Sequence, residues 1–198
     1  MTDALPIVYL ARHGETAWSL SGQHTGITDL PLTKRGERNA RRLGTRLREF
    51  TFAAVFTSPL QRAVRTCALA GFGDVAEQDD NLVEWNYGQY EGRRTFEILA
   101  ERPNWQLFRD GCPGGETPQQ VGVRADAVAS RIRAVGGNVL LFSSGHLLRV
   151  LAARWLGLPA GEGRYFMLST ASLSALGYEH DASEPVIRLW DDTSHVGA

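Results

Sequence analysis

Three short stretches of this chain place arginine, histidine and small residues where a phosphoryl group could be held and moved. They are Arg12-His13-Gly14-Glu15, the run from Ser58 to Arg62, and Ser144-Gly145-His146. A carboxylate, Glu84, stands beside the aromatics Trp85 and Tyr87 in a fourth. Arginine suits phosphate because its planar guanidinium donates two parallel hydrogen bonds. A neutral imidazole is nucleophilic near pH 7 and forms covalent intermediates. A carboxyl group partly withdrawn from water by aromatic neighbours suits a general acid. Singly, each has a plainer reading: a loop Arg or Glu is usually solvated, and a His at a strand end is often bonded to backbone. Order and context favour chemistry. Arg-His-Gly-Glu arises by chance in about one chain in a thousand of this length, and here it follows directly on the first apolar run.

The elements that must position these residues are legible from periodicity. Residues 6–11 (PIVYLA), 53–56 and 138–142 (NVLLF) are short apolar runs, the pattern of strands buried on both faces. Residues 33–50 read as a helix with Thr33 as N-cap and Ala40, Leu43, Leu47 and Phe50 as its apolar stripe. Residues 60–70 read as a second helix. Residues 117–135 read as a third, carrying Val121, Ala125, Val128 and Ile132, with Gly136-Gly137 as its stop. An apolar helix follows Ser144, and 172–178 and 186–190 close the chain as strands. Alternation of strand and helix predicts one three-layer α/β/α domain over 1–198 with a mostly parallel central sheet. In such sheets ligands bind beyond the carboxyl ends of the strands, where the three polar stretches fall. The segment 81–118 breaks the rhythm, being rich in Trp, Tyr and Gly, and reads as a small irregular or helical cover over the active site.

Composition narrows the function class. The chain has 198 residues, 43% hydrophobic, with 21 Lys plus Arg against 22 Asp plus Glu. That balance argues against a protein that coats nucleic acid. The basic residues of 33–50 read as a solvated helix face. Two cysteines, Cys67 and Cys112, make neither a disulfide framework nor a four-ligand zinc site, and reduced thiols fit a cytoplasmic protein. Five histidines show no recognised ligand spacing, so no metal is expected. The N-terminus opens with an acid and a proline rather than a basic, then apolar, leader. No apolar run approaches the roughly 20 residues of a membrane span. The apolar edge strand 186–190 can pair across a homodimer or be covered within one chain.

LARHGET, SPLQRA and LVEWNYGQYEG together resemble the signatures of the histidine phosphatase superfamily, the phosphoglycerate mutase-like proteins. Residues 21–33 (SGQHTGITDLPLT) look most like its sugar-bisphosphatase and small acid phosphatase branch. The resemblance implies a metal-independent and cofactor-free phosphatase of a small phosphorylated metabolite, a sugar phosphate or bisphosphate. It implies that His13 becomes a phosphohistidine, that Arg12 and Arg62 grip the phosphoryl oxygens, and that Glu84 protonates the leaving oxygen. Gln23, Thr25 and Gly26 fall where the family touches substrate or phosphate. Ser19 stands at a position often asparagine in the mutases, and Tyr87 flanks the acid as pocket wall.

One position departs from the pattern. This branch typically reads Ser-His-Gly-His at the late strand end, whereas the chain reads Ser143-Ser144-Gly145-His146. Gly145 fixes the register, so Ser144 occupies the slot of the second pocket histidine and His146 lies two places on, in the substrate region. Loss of one preorganised donor typically costs about 10²–10³ in rate. An introduced inactivating change, an enzyme relying on its arginines and His146, and a weakly catalytic phosphometabolite-binding protein all fit this departure. A phosphoglycerate mutase is the other reading among enzymes. Against it, the insert lacks the paired-arginine, proline-rich segment with which mutases hold a bisphosphate.

Overall fold

The runs at 6–11 and 138–142 lie side by side at the centre of the sheet. The computed structural model describes residues 5–196, so most of the N-terminal stretch tested for a leader lies outside the described residues. Strands β1 (Val8–Arg12) and β4 (Val139–Ser143) are parallel, with Val8 opposite Val139 and Arg12 opposite Ser143. Val8, Leu10, Val139 and Leu141 enter one apolar cluster, and Tyr9, Ala11, Leu140 and Phe142 the other. Side chains that alternate across a strand produce that division.

The remaining elements in chain order are α1 (Ala17–Ser21), α2 (Lys34–Leu47), β2 (Ala54–Thr57), α3 (Gln61–Leu69), β3 (Ala76–Gln78), α4 (Thr95–Glu101), α5 (Leu107–Asp110), α6 (Pro118–Arg133), α7 (Gly145–Trp155), β5 (Leu173–Tyr178) and β6 (Pro185–Asp192). The sheet order is β3-β2-β4-β1-β5-β6. The first four strands are parallel, and β5 is antiparallel to both its neighbours. Leu43 and Leu47 of α2 and Cys67 of α3 close one face. Val121, Ala125, Val128 and Ile132 of α6, with the apolar side of α7, close the other. The architecture is the three-layer, mostly parallel α/β sandwich that the alternation predicted.

Three details differ from the pattern reading. Helix α2 stops at Leu47; Phe50 lies beyond it and packs on the Tyr9 ring at 4.6 Å. Strand β3 carries the polar triplet Ala-Glu-Gln, two of whose residues are exposed, so it offers no apolar signal. The insert 81–118 holds α4 and α5, and it does more than cover: Trp85, Tyr87, Tyr90 and Trp105 are buried in the larger core cluster. Cys67 and Cys112 are free and buried, and burial pushes each thiol up to about 12. No described helix is long and apolar enough to cross a membrane.

Candidate active site

Strand β1 delivers Arg12 and His13 to the carboxyl edge of the sheet, and the chain must then turn sharply against α2. Gly14 makes the turn possible: a Cβ there would lie 2.6 Å from the Gly36 carbonyl oxygen, while a Cβ on Gly36 would meet the Glu15 carbonyl at 2.3 Å. The two glycines therefore let two backbones touch. Thr33 fastens the contact. Its hydroxyl accepts from Gly36 N at 3.0 Å as the N-cap of α2 and donates to Glu15 Oε1 at 2.7 Å. Arg35 pairs with the other Glu15 oxygen. The hydrogen bonds of Thr33 and Arg35, with the Arg35 charge, hold the Glu15 carboxyl below its usual range despite burial.

His13 is 4% exposed. Its Nδ1 lies 2.7 Å from the Gly14 carbonyl oxygen. A carbonyl only accepts, so Nδ1 carries the proton and Nε2 the lone pair. Burial, then the Arg12 and Arg62 charges, hold this imidazole well below the usual value, against the pull of the Gly14 carbonyl. The ring is thus neutral near pH 7, with its unprotonated nitrogen set by the tautomer. Arg12 lies against Gly145, where a Cβ would come within 3.2 Å of the guanidinium. One of its Nη groups donates to the Leu168 carbonyl, and its buried Nε has no partner among the described residues.

Glu84 stands across from the end of β1, at the start of α7. Its carboxylate accepts from the backbone N–H groups of Trp85 (2.9 Å), His146 (2.9 Å) and Leu147 (2.8 Å). The last two are unpaired amides of the helix N-terminus, which favours negative charge. The segment carrying Glu84 is held by a pair that sequence reasoning missed. Arg124 of α6 forks onto Glu116 and donates to the carbonyls of Asn81 at 2.9 Å and Val83 at 2.7 Å. Glu116 in turn accepts from Asn86 N. An arginine interrupting the buried face of a helix was the available signal.

A cavity of about 260 Å³ unites Arg12, His13, Glu84, Tyr87 and His146 with Ser19, Gln23 and Thr25. The other expected residues lie behind its wall. Arg62 is fully buried, and its two Nη groups donate to the carbonyls of Thr25, Gly26 and Thr28; its Nε has no partner among the described residues. Gly26 is packed under the Trp85 carbonyl and gives its N–H to Glu91. Ser144 is the N-cap residue of α7, fully buried, with a hydroxyl that has no partner among the described residues. Ser19 lines the cavity while serving the capping box of α1 with Thr16. Gln23 is anchored by its Nε2 on the Gly92 carbonyl at 2.8 Å.

His24 and Thr95 also line the cavity and were not singled out in the sequence. The His24 ring lies 4.7 Å from Tyr87 and 6.2 Å from His146. Among the described residues Glu179, His180 and Glu184 could offer three ligand atoms to a metal ion. They are exposed at the β5–β6 hairpin, at the opposite end of the sheet from His13. What converges at the cavity is a neutral imidazole, a guanidinium beside it and a carboxyl group facing both, a set able to transfer a phosphoryl group.

Comparison with known proteins agrees with this geometry. The profile of the histidine phosphatase superfamily (branch 1) matches residues 8–193. An acid phosphatase of Mycobacterium tuberculosis is 43% identical over 175 residues, covering 86% of this chain and 86% of that protein. Sedoheptulose 1,7-bisphosphatase of Saccharomyces cerevisiae is 39% identical over 191 residues, covering 80% of this chain and 70% of that protein. The solved structure of the open reading frame Rv3214 product of M. tuberculosis superposes with a TM-score of 0.89 at 39% identity, covering 94% of this chain and 97% of that one. With the match spanning β1 to the end of β6, the chain belongs to the histidine phosphatase superfamily.

Proposed function

We propose that this protein is a phosphatase that hydrolyses a small phosphorylated metabolite, a sugar phosphate, through a phosphohistidine on His13. The observation that carries the reading is the His13 tautomer: Nδ1–H is committed to the Gly14 carbonyl, so Nε2 is the free lone pair. Nε2 attacks phosphorus, and the bond from phosphorus to the ester oxygen breaks. Arg12, with the Nε–H of Arg62 behind it, offsets charge on the phosphoryl oxygens. Glu84 takes up a proton as the anionic ester binds beside it and gives that proton to the departing oxygen. The resulting carboxylate then takes a proton from water as that water attacks the phosphohistidine, which releases phosphate and restores Nε2. The yeast relative supplies the sugar-phosphate class, and Ser19, Gln23 and Thr25 offer polar groups along the cavity.

The test is phosphate release from sugar phosphates together with acid-quenched labelling of the enzyme. Release with an acid-labile label that disappears in His13→Ala is expected. Transfer to 3-phosphoglycerate without net release would instead identify a mutase. Tight ester binding without label or release would identify a binding protein, the reading that Ser144 motivates.

A further inference from the structure

A second space opens directly from the catalytic cavity. It measures about 440 Å³ and shares His24, Thr95 and His146 with the first. Beyond those three its character changes. Phe108 and the exposed Tyr165 present rings and Gln106 an amide, while Trp105 and Leu107, only 4% and 7% exposed, back the wall. His24 sits edge-on to Trp105 at 5.8 Å, and Phe108 edge-on to His146 at 5.4 Å, so the shared histidines belong to the aromatic wall. The two spaces together have the size of a small-molecule site, about 300–1,000 Å³.

Cations are scarce along this path. Arg12 lies beside His13, and Arg164 is the other arginine lining either space. Arg164 donates to Tyr165 Oη at 2.7 Å, lies 4.6 Å over that ring and faces Glu162 at 3.5 Å, so part of its charge is already matched. Arg149, 4.5 Å over one face of Phe108, gives Nε–H and one Nη–H to the carbonyls of Gly163 and Arg164. His24 and His146 add little charge, since burial lowers both imidazoles. A second phosphate in this groove would meet one guanidinium, already shared with Glu162, whereas a flat uncharged ring would stack on Phe108 or Tyr165.

Building on the phosphatase reading above, we infer that the groove of Phe108 and Tyr165 receives a flat heterocycle carried by the sugar, so that the substrate is a ring-bearing sugar monophosphate. The phosphate lies at His13, the sugar along Gln23 and Thr25, and the ring past His24.

Adenosine 5′-monophosphate and ribose 5-phosphate test this, because both release a sugar 5-hydroxyl and differ in the ring. The expected kcat/KM ratio is about tenfold in favour of the nucleotide, the size of one good stacking contact. Tyr165→Ala, which removes an exposed ring, should lower that ratio about three- to tenfold. A ratio at or below one overturns the inference, as does a clear preference for fructose 1,6-bisphosphate over fructose 6-phosphate. If no ester is hydrolysed, the phosphatase reading fails by itself. Calorimetry of the two ribose esters then decides the groove: tighter nucleotide binding upholds it, and equal binding overturns it.

Discussion

Tyr87 Oη lies 2.5 Å from His146 Nδ1, on the wall of the catalytic cavity. Burial first, and then the Glu84 carboxylate, push the phenol well above its usual value. Burial, Arg149, His24 and Arg12 hold the imidazole well below its own. Both groups are therefore neutral near pH 7, and a single proton lies between the hydroxyl and Nδ1. The carboxyl oxygen Glu84 Oε2 is 3.9 Å from the same Nδ1. Tyr87 thus anchors the ring of a histidine next to Glu84.

Removing that phenol should cost stability as well as rate. Tyr87→Phe leaves Nδ1 buried without a partner, a loss of about 1–3 kcal/mol. Adding His146→Leu should return part of it, because the unsatisfied group is then gone. Urea unfolding of the two single variants and the double variant gives the coupling. Purely additive losses would mean the contact carries no energy of its own.

Glu84→Gln separates the acid role from substrate binding. An alkyl phosphate needs its leaving oxygen protonated, so turnover should fall by about 10²–10⁴. A nitrophenyl phosphate leaves as a stable phenolate and should lose far less. An equal loss on both esters would point to damage at the start of α7, where Glu84 receives the amides of His146 and Leu147.

Much of this site was legible because chemistry and period coincided. β1 and β4 are buried on both faces, so their apolar runs ended visibly where His13 and Ser144 begin. The Arg-His-Gly-Glu order and the aromatic neighbours of Glu84 singled out two residues that line one cavity. What stayed hidden depends on contacts far apart in sequence. Arg124 reaches back more than 40 residues to Asn81 and Val83; its place on the buried face of α6 marks the residue but not these partners. Arg62 spends its Nη groups on loop carbonyls, which residue type alone does not reveal. β3 pairs through its backbone while its side chains remain polar.

Arg124 should matter to a reaction it never touches. Arg124→Ala strands Glu116 and the carbonyls of Asn81 and Val83, all of which face the loop that carries Glu84. Both members of the pair are 19% exposed in their side chains, and breaking a mostly buried pair costs up to about 3–5 kcal/mol. In protein that remains folded, kcat should fall more than KM rises. Arg124→Lys should rescue little, because an ammonium lacks the fork that reaches carboxylate and carbonyls together. Full activity in the lysine variant would show that charge alone suffices.

Acid should destabilise the protein well before its carboxylates are protonated. His13 and His146 are held well below 6.5 in the folded chain, mainly by burial. In the unfolded chain they take up protons as pH falls through about 6.5. The unfolded state then binds up to two more protons than the native state, so stability falls with pH at up to about 2.7 kcal/mol per unit. The contribution is complete above the unfolded value and is lost on acidification towards the folded ones. Urea midpoints at about pH 7.5 and 5.5 test it, and equal midpoints would show that the two rings titrate normally in the native state.

Ser144 gives the last prediction. It follows Ser143, the partner of Arg12 in the β1–β4 register, so it stands beside His13. Its hydroxyl is buried and unpartnered among the described residues, and it carries no charge. Ser144→His would place a second imidazole against the phosphoryl group and should raise turnover by about 10²–10³, the usual worth of one preorganised donor. The opposing force is volume. The site is fully buried, and forcing a ring into it costs about 1–3 kcal/mol. Unfolding and phosphate release must therefore be measured on the same preparation. A folded variant with higher turnover makes Ser144 the limit on rate in this chain. A folded variant no faster than the parent would mean that Arg12 and His146 already supply the stabilisation the second histidine would add.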